Sequence, residues 1–149
     1  MKCIFYCVKC HKIATARHKC NPLSYVSITR NMRNCVDTMN DLGLELMSAV
    51  SYVENVDTSF LHKLELELEF RYEYNEAILQ AMPDGWNWYK FSVKDGEVWL
   101  SGLRYTENYL WTGAETVTDR VNLIIKKFER YLSYRDPQAV KSILTLMYS

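Results

Sequence analysis

Hydrophobic and polar positions alternate most regularly in the middle of the chain. The apolar positions are Leu64, Leu66, Leu68, Phe70 and Tyr72. The positions between them are Glu65, Glu67, Glu69 and Arg71. Because successive side chains of a strand point to opposite faces, this segment predicts a strand with one face in the core and the other in water. Segments 25–28 and 44–53 contain valine and tyrosine in β-prone runs and predict two further strands.

A β-hairpin is predicted around Asp95-Gly96, a strong turn signal between two β-prone segments. Centring the strand register on this turn gives three pairs: Val93 with Val98, Phe91 with Leu100, and Tyr89 with Gly102. We expect the face that carries these pairs to point into the core. The opposite face then carries several large aromatic side chains.

Four segments have the spacing of amphipathic helices. The first spans about residues 29–42, and a short second helix is predicted over 74–82. Two C-terminal helices follow. The first opens with a capping box at Thr112-x-x-Glu115, and the second has Asp136 as its N-cap.

These elements predict an α+β fold, in which an antiparallel sheet of four to five strands has helices packed mainly on one face. Two helices end the chain, and a cysteine-rich basic segment begins it. The 149 residues, 48% of them hydrophobic, suffice for a single domain over 1–149. No apolar run reaches the roughly 20 residues of a membrane span, and no signal peptide is evident. We therefore expect a cytoplasmic protein that does not bind membranes.

Charge is distributed unevenly, although the formal net charge is zero. Seven of the 18 Lys and Arg residues precede residue 37, and no Asp or Glu does, so this part carries +7. The remaining eleven basic and 18 acidic residues give the rest −7. Such asymmetry indicates either an acidic partner such as nucleic acid or a basic segment lying across the protein's own acidic surface. We slightly favour the second interpretation.

The first twenty residues contain six of the eight cysteines and histidines of the chain. They are Cys3, Cys7, Cys10, His11, His18 and Cys20. In a reducing compartment, a Cys-x-x-Cys pair followed by His-x-Cys predicts a metal site rather than disulfides. Cys7, Cys10, His18 and Cys20 form a suitable set for one structural zinc ion, so residues 1–22 are a candidate zinc-stapled segment.

Two other interpretations of the cluster remain open. The ligand set could include Cys3 or His11, because the His-x-Cys half is a weaker signal than a second Cys-x-x-Cys and its loop contains no glycine. Alternatively, the cysteines are free thiols in a basic strand, or Cys7 and Cys10 carry redox chemistry.

The sequence contains no strong indication of an enzyme. Three glutamates, Glu65, Glu67 and Glu69, follow His62 and could serve a metal-dependent nuclease, but glutamate is also an ordinary residue for the solvated face of a strand. Cys35 with His62 is a candidate cysteine–histidine catalytic pair, and Cys7 with Cys10 could serve a thiol enzyme. Glycine-rich phosphate-binding motifs are missing. We expect a protein that is not an enzyme.

The leading functional hypothesis is a small non-enzymatic binding protein, such as a regulator, an adaptor or a phage-type inhibitor. It would occupy a larger protein or nucleoprotein partner, because tryptophan and tyrosine are enriched at interface hot spots. The candidate patch consists of Trp86, Trp88, Lys90, Trp99, Glu65, Glu67 and Glu69.

A second hypothesis is a zinc-stabilised nucleic-acid-binding module. Its phosphate-binding residues would be Lys9, Lys12, Arg17, Lys19, Arg30 and Arg33. The partner and the oligomeric state do not follow from the sequence.

Overall fold

The structure, a computed structural model, describes residues 3–55, 60–113 and 115–148. Seven strands and three helices make up this part of the chain. The strands are β1 (Ile4–Cys7), β2 (Lys12–Ile13), β3 (Tyr25–Ile28), β4 (Leu46–Asn55), β5 (Leu61–Phe70), β6 (Trp86–Val93) and β7 (Val98–Leu110). The helices are α1 (Arg33–Asp41), α2 (Val117–Ser133) and α3 (Pro137–Tyr148).

The seven strands form one mixed sheet in the order β2-β1-β3-β4-β5-β7-β6. The α+β class and the two C-terminal helices are confirmed, whereas the prediction of four to five antiparallel strands is wrong. Strands β1 and β2 add a hairpin at one edge, and β3 runs parallel to β4. The parallel pair arises because α1 connects β3 to β4, and a strand–helix–strand crossover returns the chain in the same direction.

One face of the sheet packs against the helices, and we call the opposite side the open face. The apolar positions of β5, Leu64, Leu66 and Leu68, are fully buried in one cluster with residues of all three helices. From β1, the core receives Tyr6, while the adjacent Phe5 points to the open face. Alternation along each strand therefore assigns every strand residue to one of these two faces.

The predicted hairpin register is confirmed, but the prediction of its core face is wrong. Val93 pairs with Val98, and Tyr89 pairs with Gly102, as centring on Asp95-Gly96 predicts. The face with Tyr89 is nevertheless the open face, because Gly102 also pairs with the solvated side of β5. The two tryptophans of β6, Trp86 and Trp88, therefore lie on the helix-covered face.

One predicted helix and one predicted helix start differ from the structure. In place of a helix over 74–82 there is a single turn of 3₁₀ helix at Glu76–Ile78. The N-cap of α2 is Thr116, whose hydroxyl accepts a hydrogen bond from the Asp119 amide, rather than Thr112. Asp136 does cap α3, since its carboxylate accepts from the Gln138 amide at 3.0 Å.

Within the described residues, no helix combines the length and the apolar character that crossing a membrane requires.

Candidate metal centre

The β1–β2 hairpin presents the first two ligands. Cys7 ends β1 and pairs with Lys12 of β2, so the turn between the strands contains Cys10. The His11 amide donates to the Cys7 carbonyl at 2.9 Å, and His11 has a positive φ of 56°. This left-handed conformation, uncommon for residues other than glycine but enriched in histidine, asparagine and aspartate, reverses the chain after Cys10. Both thiols of the Cys-x-x-Cys consequently lie on the same side of the hairpin.

The loop after β2 brings the other two ligands back to the hairpin. The sulfur atoms of Cys7, Cys10 and Cys20 and a ring nitrogen of His18 all lie within 4.8 Å of one another. The closest sulfurs, Cys10 Sγ and Cys20 Sγ, are 3.5 Å apart. The structure therefore gathers the four predicted ligands into one cluster that could hold a metal ion.

Tyr25 fixes the returning loop. Its hydroxyl accepts a hydrogen bond from the Cys20 amide at 3.0 Å and donates one to the His18 carbonyl at 3.1 Å. Its ring also contacts the His18 ring edge-to-face, with centroids 5.8 Å apart. Because Tyr25 pairs with Cys7 across β1 and β3, one side chain ties the second half of the cluster to the first. This role of Tyr25 could not be predicted from the sequence, since no spacing rule distinguishes a strand tyrosine that reaches back to a loop.

The cluster has the properties expected of a metal site. His18 Nε2 is buried from solvent and makes no hydrogen bond. A buried ring nitrogen without a partner is costly, and coordination of a cation removes that cost. Three sulfurs and one imidazole nitrogen are also the soft and borderline donors that zinc and related metals prefer.

Electrostatics within the cluster favour a central cation. Burial opposes ionisation of Cys7, yet the amides of Cys10 and Lys9 and the side chains of His18 and Cys20 outweigh burial and lower the pKa of Cys7 to about 7. Hydrogen bonding to Cys10, together with burial and the nearby Cys7, raises the pKa of Cys20 to about 11. Adjacent thiolates repel one another, and a divalent cation between them would reverse this penalty.

The two alternative ligands lie outside the cluster. Cys3 is exposed and precedes Cys7 by four residues, about 13 Å along an extended chain. The ring of His11 is bound elsewhere, because its Nδ1 lies 3.0 Å from a carboxylate oxygen of Asp37 on α1. The same carboxylate accepts a hydrogen bond from the Tyr6 hydroxyl, which holds His11 on the helix side of the sheet.

Four of the six candidate phosphate-binding residues surround the metal cluster. Lys9 precedes Cys10, Arg17 precedes His18, Lys19 lies between His18 and Cys20, and Lys12 pairs with Cys7 across the hairpin. All four are exposed. The other two lie on the helix side: Arg30 lines a groove with Thr118, and Arg33 donates to the His11 carbonyl at 2.7 Å.

These four cations have no acidic partner among the residues that the structure describes. In residues 3–55, 60–113 and 115–148, no carboxylate forms an ion pair with any of them. The acidic positions of β5 instead pair with Arg104, whose Nε lies 3.0 Å from Glu67 and 3.2 Å from Glu65. The described residues thus give no support to a basic segment neutralised by the protein's own surface.

The sheet divides the candidate partner patch into separate surfaces. Trp86 and Trp88 lie on the helix-covered face, where Trp86 stacks on Phe128 with ring centroids 4.0 Å apart. The three glutamates lie on the open face. Lys90 is exposed and pairs with Glu73 at 2.9 Å, and Trp99 is exposed near the hairpin turn.

Among the remaining catalytic candidates, two of the glutamates are paired with a cation and the Cys35 thiol is buried. Arg104 already pairs with Glu65 and Glu67, and a hydrogen bond with Glu67 raises the pKa of Glu65. Among the described residues, one set of three or more histidine, cysteine or acidic side chains lies close enough together to hold a metal ion. It is the cluster of Cys7, Cys10, His18 and Cys20. The Cys35 thiol is fully buried, and burial raises its pKa, which is the opposite of what a nucleophilic thiolate needs.

Comparison of the chain with protein-family models, with curated proteins and with solved structures found no match.

Proposed function

We propose that this chain is a non-enzymatic binding protein whose N-terminal segment folds around one zinc ion and binds the phosphate backbone of nucleic acid. One observation carries the proposal. Each of the four exposed cations around the cluster is next to a metal ligand, either along the chain or across the hairpin. Forming the metal site therefore assembles the cationic surface.

Zinc is the metal that fits these ligands best. Structural zinc is bound tetrahedrally by four cysteine or histidine side chains, with bonds of about 2.3 Å to sulfur. Such bonds place neighbouring sulfurs about 3.8 Å apart. The cluster, with all ligand atoms within 4.8 Å and its closest sulfurs at 3.5 Å, needs little movement to reach this geometry.

Phosphate is the chemical group that fits the cations. Lysine and arginine side chains that are exposed and unpaired bind nucleic acid mainly by displacing counterions from phosphates. Four such residues, Lys9, Lys12, Arg17 and Lys19, are concentrated in the eleven positions 9–19, which contain no acidic side chain. The hypothesis of a larger protein partner assumes one continuous patch, but the sheet separates the aromatic residues of that patch from its glutamates.

Removal of two of these cations should reduce the salt dependence of binding. We expect a fluorescein-labelled 12-nucleotide DNA to bind the zinc-loaded protein, with affinity falling steeply as salt rises. Each phosphate contact contributes about 0.7 to 0.9 to the slope of log K against log salt. The Lys9→Ala/Lys19→Ala variant should therefore lose about 1.4 to 1.8 of that slope, measured by anisotropy at several salt concentrations.

A matched variant controls for net charge. Lys126→Ala/Lys127→Ala removes the same charge from exposed positions of α2 and should leave the slope unchanged. Neither variant replaces a metal ligand, so both should retain their zinc. Their zinc content is measured to check this. Equal losses of slope in the two variants, or no binding by the unmodified protein, would contradict the proposed function.

Tyr25 is expected to set the zinc affinity through the loop that it holds. Replacing Tyr25 with Phe removes the hydroxyl that bonds the Cys20 amide and the His18 carbonyl but keeps the ring. Loss of such outer contacts typically costs 10- to 100-fold in metal affinity. Competition with a chromophoric chelator measures this change. Tyr134→Phe, at an exposed tyrosine after α2, should retain the original affinity; an unaltered affinity in Tyr25→Phe would rule out the positioning role.

A further inference from the structure

An aromatic side chain stands exposed beside the metal centre. Phe5 is 62% exposed, although it lies within β1 and in the sheet. Its neighbours Ile4 and Tyr6 point into or against the core, so Phe5 shares the open face with Cys7. Lys12, which pairs with Cys7, lies on this face as well. The ring is therefore two residues and one strand away from a lysine of the cationic surface.

The residues next to Phe5 leave its ring uncovered. Across the sheet, Phe5 pairs with Ser27 of β3, and Ser27 pairs with Ser48 of β4. Two consecutive small side chains form a shallow strip on one side of the ring. No aromatic ring in the described part of the chain stacks on Phe5. The ring is consequently available to a flat partner.

The acidic strand is too distant to repel a phosphate at this position. Three strand spacings separate β1 from β5, because the order is β1-β3-β4-β5. At about 4.8 Å each, they amount to about 14 Å. That distance exceeds the Debye length of about 8 Å at physiological ionic strength, and Arg104 partly neutralises Glu65 and Glu67. Glu69, which is in register with Phe5 through Ser27 and Ser48, is the nearest of these carboxylates along the sheet. Lys12 lies only one strand away on the same face and is therefore closer to Phe5 than the acidic strand is.

We propose that the protein prefers single-stranded nucleic acid, with one base stacked on Phe5 and the adjoining phosphates bound by Lys12 and the other three exposed cations around the metal cluster. This inference rests on the proposed function and specifies its ligand. Single strands expose base faces that stack on aromatic side chains, whereas the bases of a duplex are already stacked on one another. A basic surface with an exposed aromatic ring beside it has the composition of such a site.

Phe5→Ala tests the inference. The probes are a labelled 12-nucleotide DNA of mixed sequence and the duplex of the same sequence, both added to the zinc-loaded protein. Loss of one stacked base should weaken single-strand binding by about 5- to 150-fold. Duplex binding should change by less than about twofold, because it depends on phosphates. Phe5→Trp should retain single-strand affinity, since it keeps a stacking surface.

The outcomes separate this inference from the proposed function. The stacking site is overturned if both probes bind equally well and Phe5→Ala does not alter their affinity. A reduced salt slope in Lys9→Ala/Lys19→Ala would then leave the phosphate-binding function in place. Failure of both probes to bind overturns both proposals. Tyr134→Ala, which removes an exposed aromatic residue remote from the cluster in sequence, should not weaken binding of either probe.

Discussion

The Cys7→Ser/Cys10→Ser variant should lose its zinc. Protein purified without chelator is expected to contain about one equivalent of zinc per chain, and this variant close to none, because two of four ligands no longer supply thiolates. Elemental analysis measures the effect directly. Binding of a structural zinc ion contributes to folding free energy, so residues 8–21 should also lose protection against hydrogen exchange.

A cysteine outside the cluster provides the matched control for this experiment. Cys3→Ser removes an exposed thiol from the same segment and should preserve one equivalent of zinc. The core strands should keep most of their protection in both variants, because Tyr6 anchors β1 under the helices independently of the metal. A folded chain that contains no zinc after purification without chelator, and whose Cys10 and Cys20 thiols react freely, would contradict the metal site.

The metal ligands could be predicted from sequence because their signal is local. A two-residue spacer constrains both sulfurs to one side of a turn, whatever the rest of the fold does. The contribution of Tyr25 could not be predicted, since it depends on the pairing of β1 with β3. The choice of His18 over His11 also follows from tertiary structure, because Asp37 on α1 binds the His11 ring.

The fold shows the same division between local and long-range information. The hairpin register was predictable because Asp95-Gly96 fixes it locally. Which hairpin face is buried depends on the register of β7 against β5, where a shift of one residue exchanges the two faces. Tyr89 can remain on the open face because its ring packs against Gly102 and under the guanidinium of Arg104, 4.2 Å from the ring centroid.

Alanine at Trp86 should destabilise the fold, rather than remove a binding site. Trp86 is only 6% exposed, and its ring stacks on Phe128 of α2 at 4.0 Å and contacts Tyr105 at 5.6 Å. Truncating a buried tryptophan removes apolar contacts and leaves a cavity, which typically costs about 3–5 kcal/mol. Urea unfolding followed by circular dichroism should show a lower midpoint with little change in slope.

Trp99 is the matched control for this substitution, because it is the same residue type in the same hairpin but is 52% exposed. Trp99→Ala should alter the free energy of unfolding by no more than about 0.5 kcal/mol. A large loss of stability in Trp99→Ala, or none in Trp86→Ala, would mean that the helices do not cover the hairpin as the structure shows. The expected difference follows from the β5–β7 register, which places Trp86 under α2 while Trp99 lies near the turn, at the opposite end of the hairpin.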